Sequence, residues 1–287
     1  MTDLDKARFP GMWVAESGGL AYRVLPKCAC STIGQVIYHG DNGSYFDGDI
    51  HDADDGMLKW DQEHNHDRIR ETVEGQQAFT FTCVRNPYTR ILSAFFDKVC
   101  GIQRNGRRYR GNLVPMLQKR YGVEVDGDFD QIKSFRRFLL FARDTVRFKK
   151  PMQPDIHWIP MSNHLGYSIR QGCRFDYIFA TEDFNTGMKH VVSKAPLANP
   201  VDIDSMPRFN ESEGHGPKRA HDVADYFDDM SIYLMMDIYK KDFQLFKYDM
   251  EPGKGAPRKE IDPEEVHARL IKKENNNSNN NSNQNAA

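Results

Sequence analysis

The sequence predicts an α/β fold with a central, mainly parallel sheet flanked by helices. Three observations carry that prediction. Short apolar runs rich in strand formers alternate with segments of helical periodicity. Two of the strand-to-helix turns gather cations, hydroxyls and small residues of the kind that hold phosphate. The 287 residues, 39% of them hydrophobic, can bury a real core.

Leu20 to Leu25 reads as the first strand, ended by Pro26. Lys27-Cys28-Ala29-Cys30-Ser31 is a tight loop of small side chains, and Thr32 to Tyr38 reads as a helix with Ile33, Val36 and Ile37 on one face. Residues 40–57, dense in Gly, Asp and Asn, read as an irregular surface loop. Trp60 to Glu74 is a polar helix holding His64-Asn65-His66. Phe79 to Val84 is too short for a helix and β-prone throughout, and Arg85 stands at its carboxyl end. Asn86 can cap a helix and Pro87 suits its first turn. From Thr89 onward Ile91, Leu92, Phe95, Phe96 and Val99 fall on one apolar arc, Arg90, Ser93 and Asp97 on another. Residues 101–128 read as a Gly- and Arg-rich insertion covering one end of the sheet, and Phe129 to Arg143 as an amphipathic helix. A long connection over 144–172 carries Asp155 to Pro160. Phe175 to Ala180 reads as a strand, Glu182 to Lys194 as a helix, and Val223 to Asp242 as a long amphipathic helix. The core signal stops after Tyr248. The expected division is therefore a domain over 1–252, then a linker and an Asn-rich, low-complexity tail over 253–287, read as disordered apart from a short charged helix over 262–274.

The formal net charge of −2 supplies no global basic field, which argues against a nucleic-acid partner. No window reaches the ~18 apolar residues of a membrane span, and the first twenty residues do not read as a signal peptide. Five cysteines without zinc-ligand spacing read as reduced thiols, which places the expected location in the cytoplasm and assigns no metal.

At Lys27 to Thr32 the loop N–H groups and the helix's positive end converge on an anion, Lys27 adds a point charge, and Ser31 and Thr32 add hydroxyl donors. The spacing is not that of a Walker A loop. Arg85 and Ser93 form a second phosphate clamp at a second strand end. Two clamps at two strand ends imply a ligand phosphorylated at both ends.

Together these stretches resemble the carbohydrate sulfotransferases that use 3′-phosphoadenosine 5′-phosphosulfate (PAPS), in particular the group of the chondroitin 4-O- and heparan sulfate 2-O-sulfotransferases. The chain looks like a soluble, bacterial-type member. Pro26 to Thr32 resembles that family's 5′-phosphosulfate loop, and Val84 to Ala94 its 3′-phosphate motif, R-[DNE]-P-x-x-R-[LI]-[LV]-S. His157-Trp158, the segment Phe175 to Glu182 and the segment Ile238 to Tyr248 resemble later family stretches in the same order. No Golgi membrane anchor is expected from these residues, and residues 40–57, 101–128 and 195–217, the stretches expected to set the acceptor, carry no recognisable family motif.

The resemblance implies a P-loop-like three-layer sandwich and an in-line transfer of the sulfuryl group from PAPS to an acceptor hydroxyl, on a glycan or a small glycosylated metabolite. It assigns the donor to Lys27, Cys28, Ala29, Cys30, Ser31 and Thr32 at the 5′ end, with Lys27 stabilising the leaving phosphate. Arg85 and Ser93 grip the 3′-phosphate. Arg90 either shares that face or pairs with Asp97, and Lys218 and Arg219 close over the nucleotide. The general base is one of His64, His66 and His157. The first two sit where related enzymes carry an H-x-H motif, and the third lies beside Trp158, an aromatic suited to stacking on a sugar. His39, His51 and His221 are background. Two other readings stand beside this one: a phosphoryl-transfer enzyme of the adenylylsulfate kinase type, and a non-catalytic nucleotide-binding protein. Oligomeric state is not legible in these residues.

Overall fold

The computed structural model describes residues 11–51, 66–102, 107–195, 197–207, 209 and 217–271, the side chains of 66–68 excepted. Packing divides the chain into two units. The first comprises Met1–Val84, Met161–Phe209 and Lys259–Ala287, the second Arg85–Pro160 and Asn210–Arg258.

The first unit holds a four-stranded sheet in the order β1 (Met12–Val14), β2 (Leu20–Arg23), β3 (Phe79–Val84) and β4 (Tyr177–Ala180). β1 runs antiparallel to β2 as an edge strand that sequence periodicity is too short to reveal. β2, β3 and β4 are parallel, with Arg23 opposite Thr82 and Val84 opposite Ala180. Successive residues of a strand face opposite sides. Tyr22, Phe81 and Phe179 therefore stack on one face, at 5.0 and 6.2 Å between ring centroids. That face is covered by Ile33, Val36 and Ile37 of α1 (Cys30–Asn42) and by Met188 and Val191 of α7 (Phe184–Lys194). Gly34 lets α1 lie close, because a Cβ there would meet the Trp13 ring at 2.7 Å. Arg23 points to the other face, where its Nε donates to Ser168 Oγ of α6 (Met161–Arg170) at 2.8 Å. Helices on both faces make the expected three-layer α/β sandwich. α2 (His66–Glu74) is the described part of the polar helix read from the sequence.

Residues 263–271 form a last helix, α9, whose Val266 and Leu270 are buried together with Ile261. Arg174 bonds Glu264 at 2.6 Å within the same unit. Residues 259–271, expected within the linker and tail, pack with the first unit. The Asn-rich stretch lies outside the described residues.

The second unit is helical: α3 (Pro87–Ala94), α4 (Leu113–Tyr121), α5 (Gln131–Phe148) and α8 (Asp229–Leu245). Its core is aromatic. Phe95 lies 5.6 Å from Phe135 and 5.4 Å from Phe138, while its neighbour Phe96 meets Tyr226 at 6.0 Å. Two consecutive phenylalanines engage different aromatic partners there, and at that point α3 widens into a π-helical stretch, Phe95–Cys100. The segment read as an insertion belongs to this unit and contains α4, whose Leu113, Val114 and Leu117 are buried.

Candidate active site

Beyond β2 the chain turns through Pro26 into a loop of alternating backbone hand. Lys27 has φ 68° and Ala29 φ 57°, a left-handed pair that non-glycine residues adopt only where the fold holds them. Such alternation is suited to gathering backbone N–H groups around an anion, although the Cys28 N–H is engaged with Leu25 O. Ala29 caps α1 without a side-chain acceptor, so the positive helix end is left to Cys30, Ser31 and Thr32. One expected contact is corrected here. Cys28 is fully buried, its Sγ lies 3.6 Å from Met161 Sδ, and its N–H donates to Leu25 O at 3.2 Å, so Cys28 shapes the loop from beneath.

His51 is a member of this site that the sequence reading passed over. Its Nε2 lies 2.8 Å from Ser31 Oγ and 3.7 Å from Cys30 Sγ. Burial alone would raise the Cys30 thiol, but the His51 hydrogen bond and the positive fields of His51 and Lys27 outweigh it and bring the group down to about 7. The only available signal was a histidine inside an Asp/Gly-rich loop, and no spacing ties it to residues twenty positions earlier.

Arg85 follows the last residue of β3, and Asn86 and Pro87 start α3 as expected. Asn86 Oδ1 accepts from Tyr88 N at 2.9 Å, and its amide donates to Lys254 O at 2.6 Å. Arg85 Nε donates to Thr89 Oγ1 at 3.1 Å. Thr89 Oγ1 in turn donates to Asn86 O at 3.1 Å, so Thr89 steadies the guanidinium. Ser93, four residues on, shares its face, and guanidinium and Ser93 hydroxyl form one strip of donors, with Thr89 an addition that orients Arg85. Arg90 points elsewhere. It is 1% exposed, and it donates to Ile159 O at 2.8 Å and Ile156 O at 3.4 Å.

Those carbonyls flank His157. Asp155, with no solvent exposure, accepts from His157 N at 3.0 Å and holds His157 Nδ1 at 2.6 Å. Its second oxygen accepts from Tyr109 OH at 2.8 Å and pairs with Arg110 at 2.9 Å. Burial raises the Asp155 carboxyl, but the bonds from His157 and Tyr109 prevail and hold it at about 2. An ionised Asp155 accepts only, so Nδ1 carries the hydrogen and the lone pair of a neutral ring is on Nε2. The His157 side chain retains 14% exposure. Trp158 does not have the expected sugar-stacking role. It is fully buried against Phe138 and Phe141 at 5.6 and 5.8 Å, with Nε1 donating to Thr145 Oγ1 at 3.0 Å.

His64 lies outside the described residues, and of His66 only the backbone, the first residue of α2, is described. Lys218 and Arg219 are exposed on a segment tied to α5, where Gln131 donates to Lys218 O at 3.0 Å and accepts from Ala220 N at 3.0 Å. Among the described residues no helix is long and apolar enough to cross a membrane.

These features define a class: an α/β protein whose strand ends lead into helix starts furnished for anionic groups. The family model described as "Sulfotransferase family" matches residues 10–249, and the chain belongs to that family. Carbohydrate sulfotransferase 14 of Danio rerio is 25% identical over 170 residues, which cover 55% of this chain and 40% of that protein. Carbohydrate sulfotransferase 14 of Homo sapiens is 27% identical over 166 residues, covering 55% and 39%. The chain thus spans about two fifths of the length of these curated relatives. No solved structure matches significantly.

Proposed function

We propose that this protein transfers the sulfuryl group of PAPS to an acceptor hydroxyl on a glycan or a small glycosylated molecule. The observation that carries the reading is that the loop of alternating hand and the Arg85–Thr89–Ser93 strip follow the carboxyl ends of β2 and β3, which are adjacent parallel strands. Ligands of such sheets bind at that end. Family membership supports sulfuryl transfer, and the names of the two relatives support a carbohydrate acceptor.

PAPS supplies the electrophilic sulfur. Lys27, the N–H groups at the start of α1, Ser31 and Thr32 hold its 5′ end. Arg85 and Ser93 hold its 3′-phosphate, Arg85 through charge-assisted bonds and steadied by Thr89. His157 Nε2 accepts the acceptor's hydroxyl proton as that oxygen bonds to sulfur and the bridging S–O bond breaks, releasing 3′,5′-ADP. Charge building on the bridging oxygen meets Lys27 and the amides of the loop. Asp155 keeps the imidazole in the required tautomer and stabilises the imidazolium that forms. The presence of five cysteines outside any disulfide supports a reducing, cytoplasmic location.

Labelled PAPS, offered with a panel of glycans and small glycosides, tests the reading. Lys27→Ala and Arg85→Ala should each abolish measurable transfer, and His157→Asn should lower kcat by about 10²–10⁴. Undiminished transfer in Lys27→Ala and Arg85→Ala would refute it.

A further inference from the structure

We infer that Arg90, the second arginine of the 3′-phosphate motif, is a positioning residue for His157, acting with Tyr239 as a clamp on the backbone of the His157 loop. The inference rests on the proposed role of His157 as general base. Three kinds of observation carry it, all within the second unit.

First, the two arginines take different partners. Arg85 bonds Thr89, whereas residue 90, turned about 100° from Thr89 and about 60° from Ser93, sends its side chain to the carbonyls of Ile156 and Ile159. Second, Arg90 is 1% exposed, and both its terminal nitrogens donate to carbonyls, Ile159 O at 2.8 Å and Ile156 O at 3.4 Å. A buried guanidinium bonded in this way is spent on structure, since leaving those donors unmet would cost several kcal/mol. Third, the rest of the loop backbone is gripped as closely. Tyr239, 1% exposed on α8, donates its hydroxyl to Trp158 O at 2.7 Å. Asp155 O accepts from Trp158 N and Ile159 N, both at 3.1 Å.

The carbonyls of residues 155, 156, 158 and 159 each accept a hydrogen bond, from α3, from α8 or from the loop itself. The loop is held at both sides of His157 while the ring keeps its own bond to Asp155 and its partial exposure. A general base must be held to within a fraction of an ångström, and displacement by about 1 Å costs on the order of 100-fold in rate. The clamp also places the motif helix and the base on one rigid support, so the strip that grips the 3′-phosphate and the loop that carries His157 share α3.

Two variants test this without removing a phosphate ligand of the strip. Arg90→Lys keeps the charge but cannot span both carbonyls, and Tyr239→Phe deletes one hydroxyl far from either phosphate motif in sequence. Three quantities are read: the Kd of 3′,5′-ADP by calorimetry, kcat and KM with labelled PAPS, and the pH titration of the His157 ring by NMR. Both variants should leave the Kd unchanged, shift the His157 titration, and lower kcat roughly 10- to 100-fold. If Arg90→Lys weakens 3′,5′-ADP while the His157 titration stays put, Arg90 is a phosphate ligand and the inference is wrong. If neither variant moves the His157 titration, the clamp is overturned whatever the turnover. If both move it while the wild-type protein transfers no sulfuryl group to any acceptor, the clamp stands and the proposed reaction falls.

Discussion

Asp155 spends its whole hydrogen-bonding capacity on His157, Tyr109 and Arg110, and it does so with no access to water. Asp155→Asn keeps the shape but removes the charge that fixes the Nδ1–H tautomer, and kcat should fall by about 10²–10⁴ while the Kd for 3′,5′-ADP holds. The same carboxyl has a pH signature. Its ordinary value of 3.8 is lowered to about 2 in the folded protein. A depressed acid stabilises the fold above the unfolded value and loses that contribution as pH falls through the folded one. Urea midpoints measured from pH 5 to pH 2 should therefore decline less steeply at the acid end in Asp155→Asn than in the wild type. Cys30 offers a second titration. Its alkylation rate should rise through about pH 7, and His51→Gln should move that midpoint upward. Cys173, which burial pushes up to about 12, should stay inert over the same range.

At the scale of elements, burial reassigns residues that look functional in sequence. Trp158 beside a candidate base suggests a sugar platform, yet it fills the space between Phe138, Phe141 and Thr145. Trp158→Ala should thus cost ~3–5 kcal/mol of stability by denaturant titration. A stacking platform would instead change KM and leave stability alone. Gly187 tells a similar story on α7. A Cβ there would meet Phe179 Cδ2 at 2.2 Å, so the helix lies directly on β4. Gly187→Ala should destabilise by ~1–3 kcal/mol through overpacking, read as a lower urea midpoint at unchanged m-value.

Across the whole chain, composition marked the last thirty-five residues as a tail, and packing disagrees for part of them. Ile261, Val266 and Leu270 are 4%, 1% and 4% exposed. Truncation after residue 258 should remove several kcal/mol of apolar burial and lower the Tm of the remaining chain, measured by calorimetry. A nucleotide bound only by the folded state must raise Tm, and 3′,5′-ADP at one hundred times its Kd should add about 2.7 kcal/mol. ATP with Mg²⁺ should do less, since the reading assigns no group to a metal-bound triphosphate.

The parallel α/β core, the strand-to-helix turns at Lys27–Thr32 and Arg85–Ser93, and the family are legible in the chain alone, because each is written in neighbouring residues: apolar runs of strand length, a capping Asn before a Pro, a hydroxyl on the polar face of a helix. Packing settles what depends on distant partners. It turned Arg90 and Trp158 inward, brought His51 to Ser31 across twenty residues, left Cys28 beneath its loop, and joined Asp155 to His157, Tyr109 and Arg110. The physical reason is that local periodicity fixes which face of an element a residue occupies, whereas burial and hydrogen-bond satisfaction are set by what the rest of the chain brings against that face.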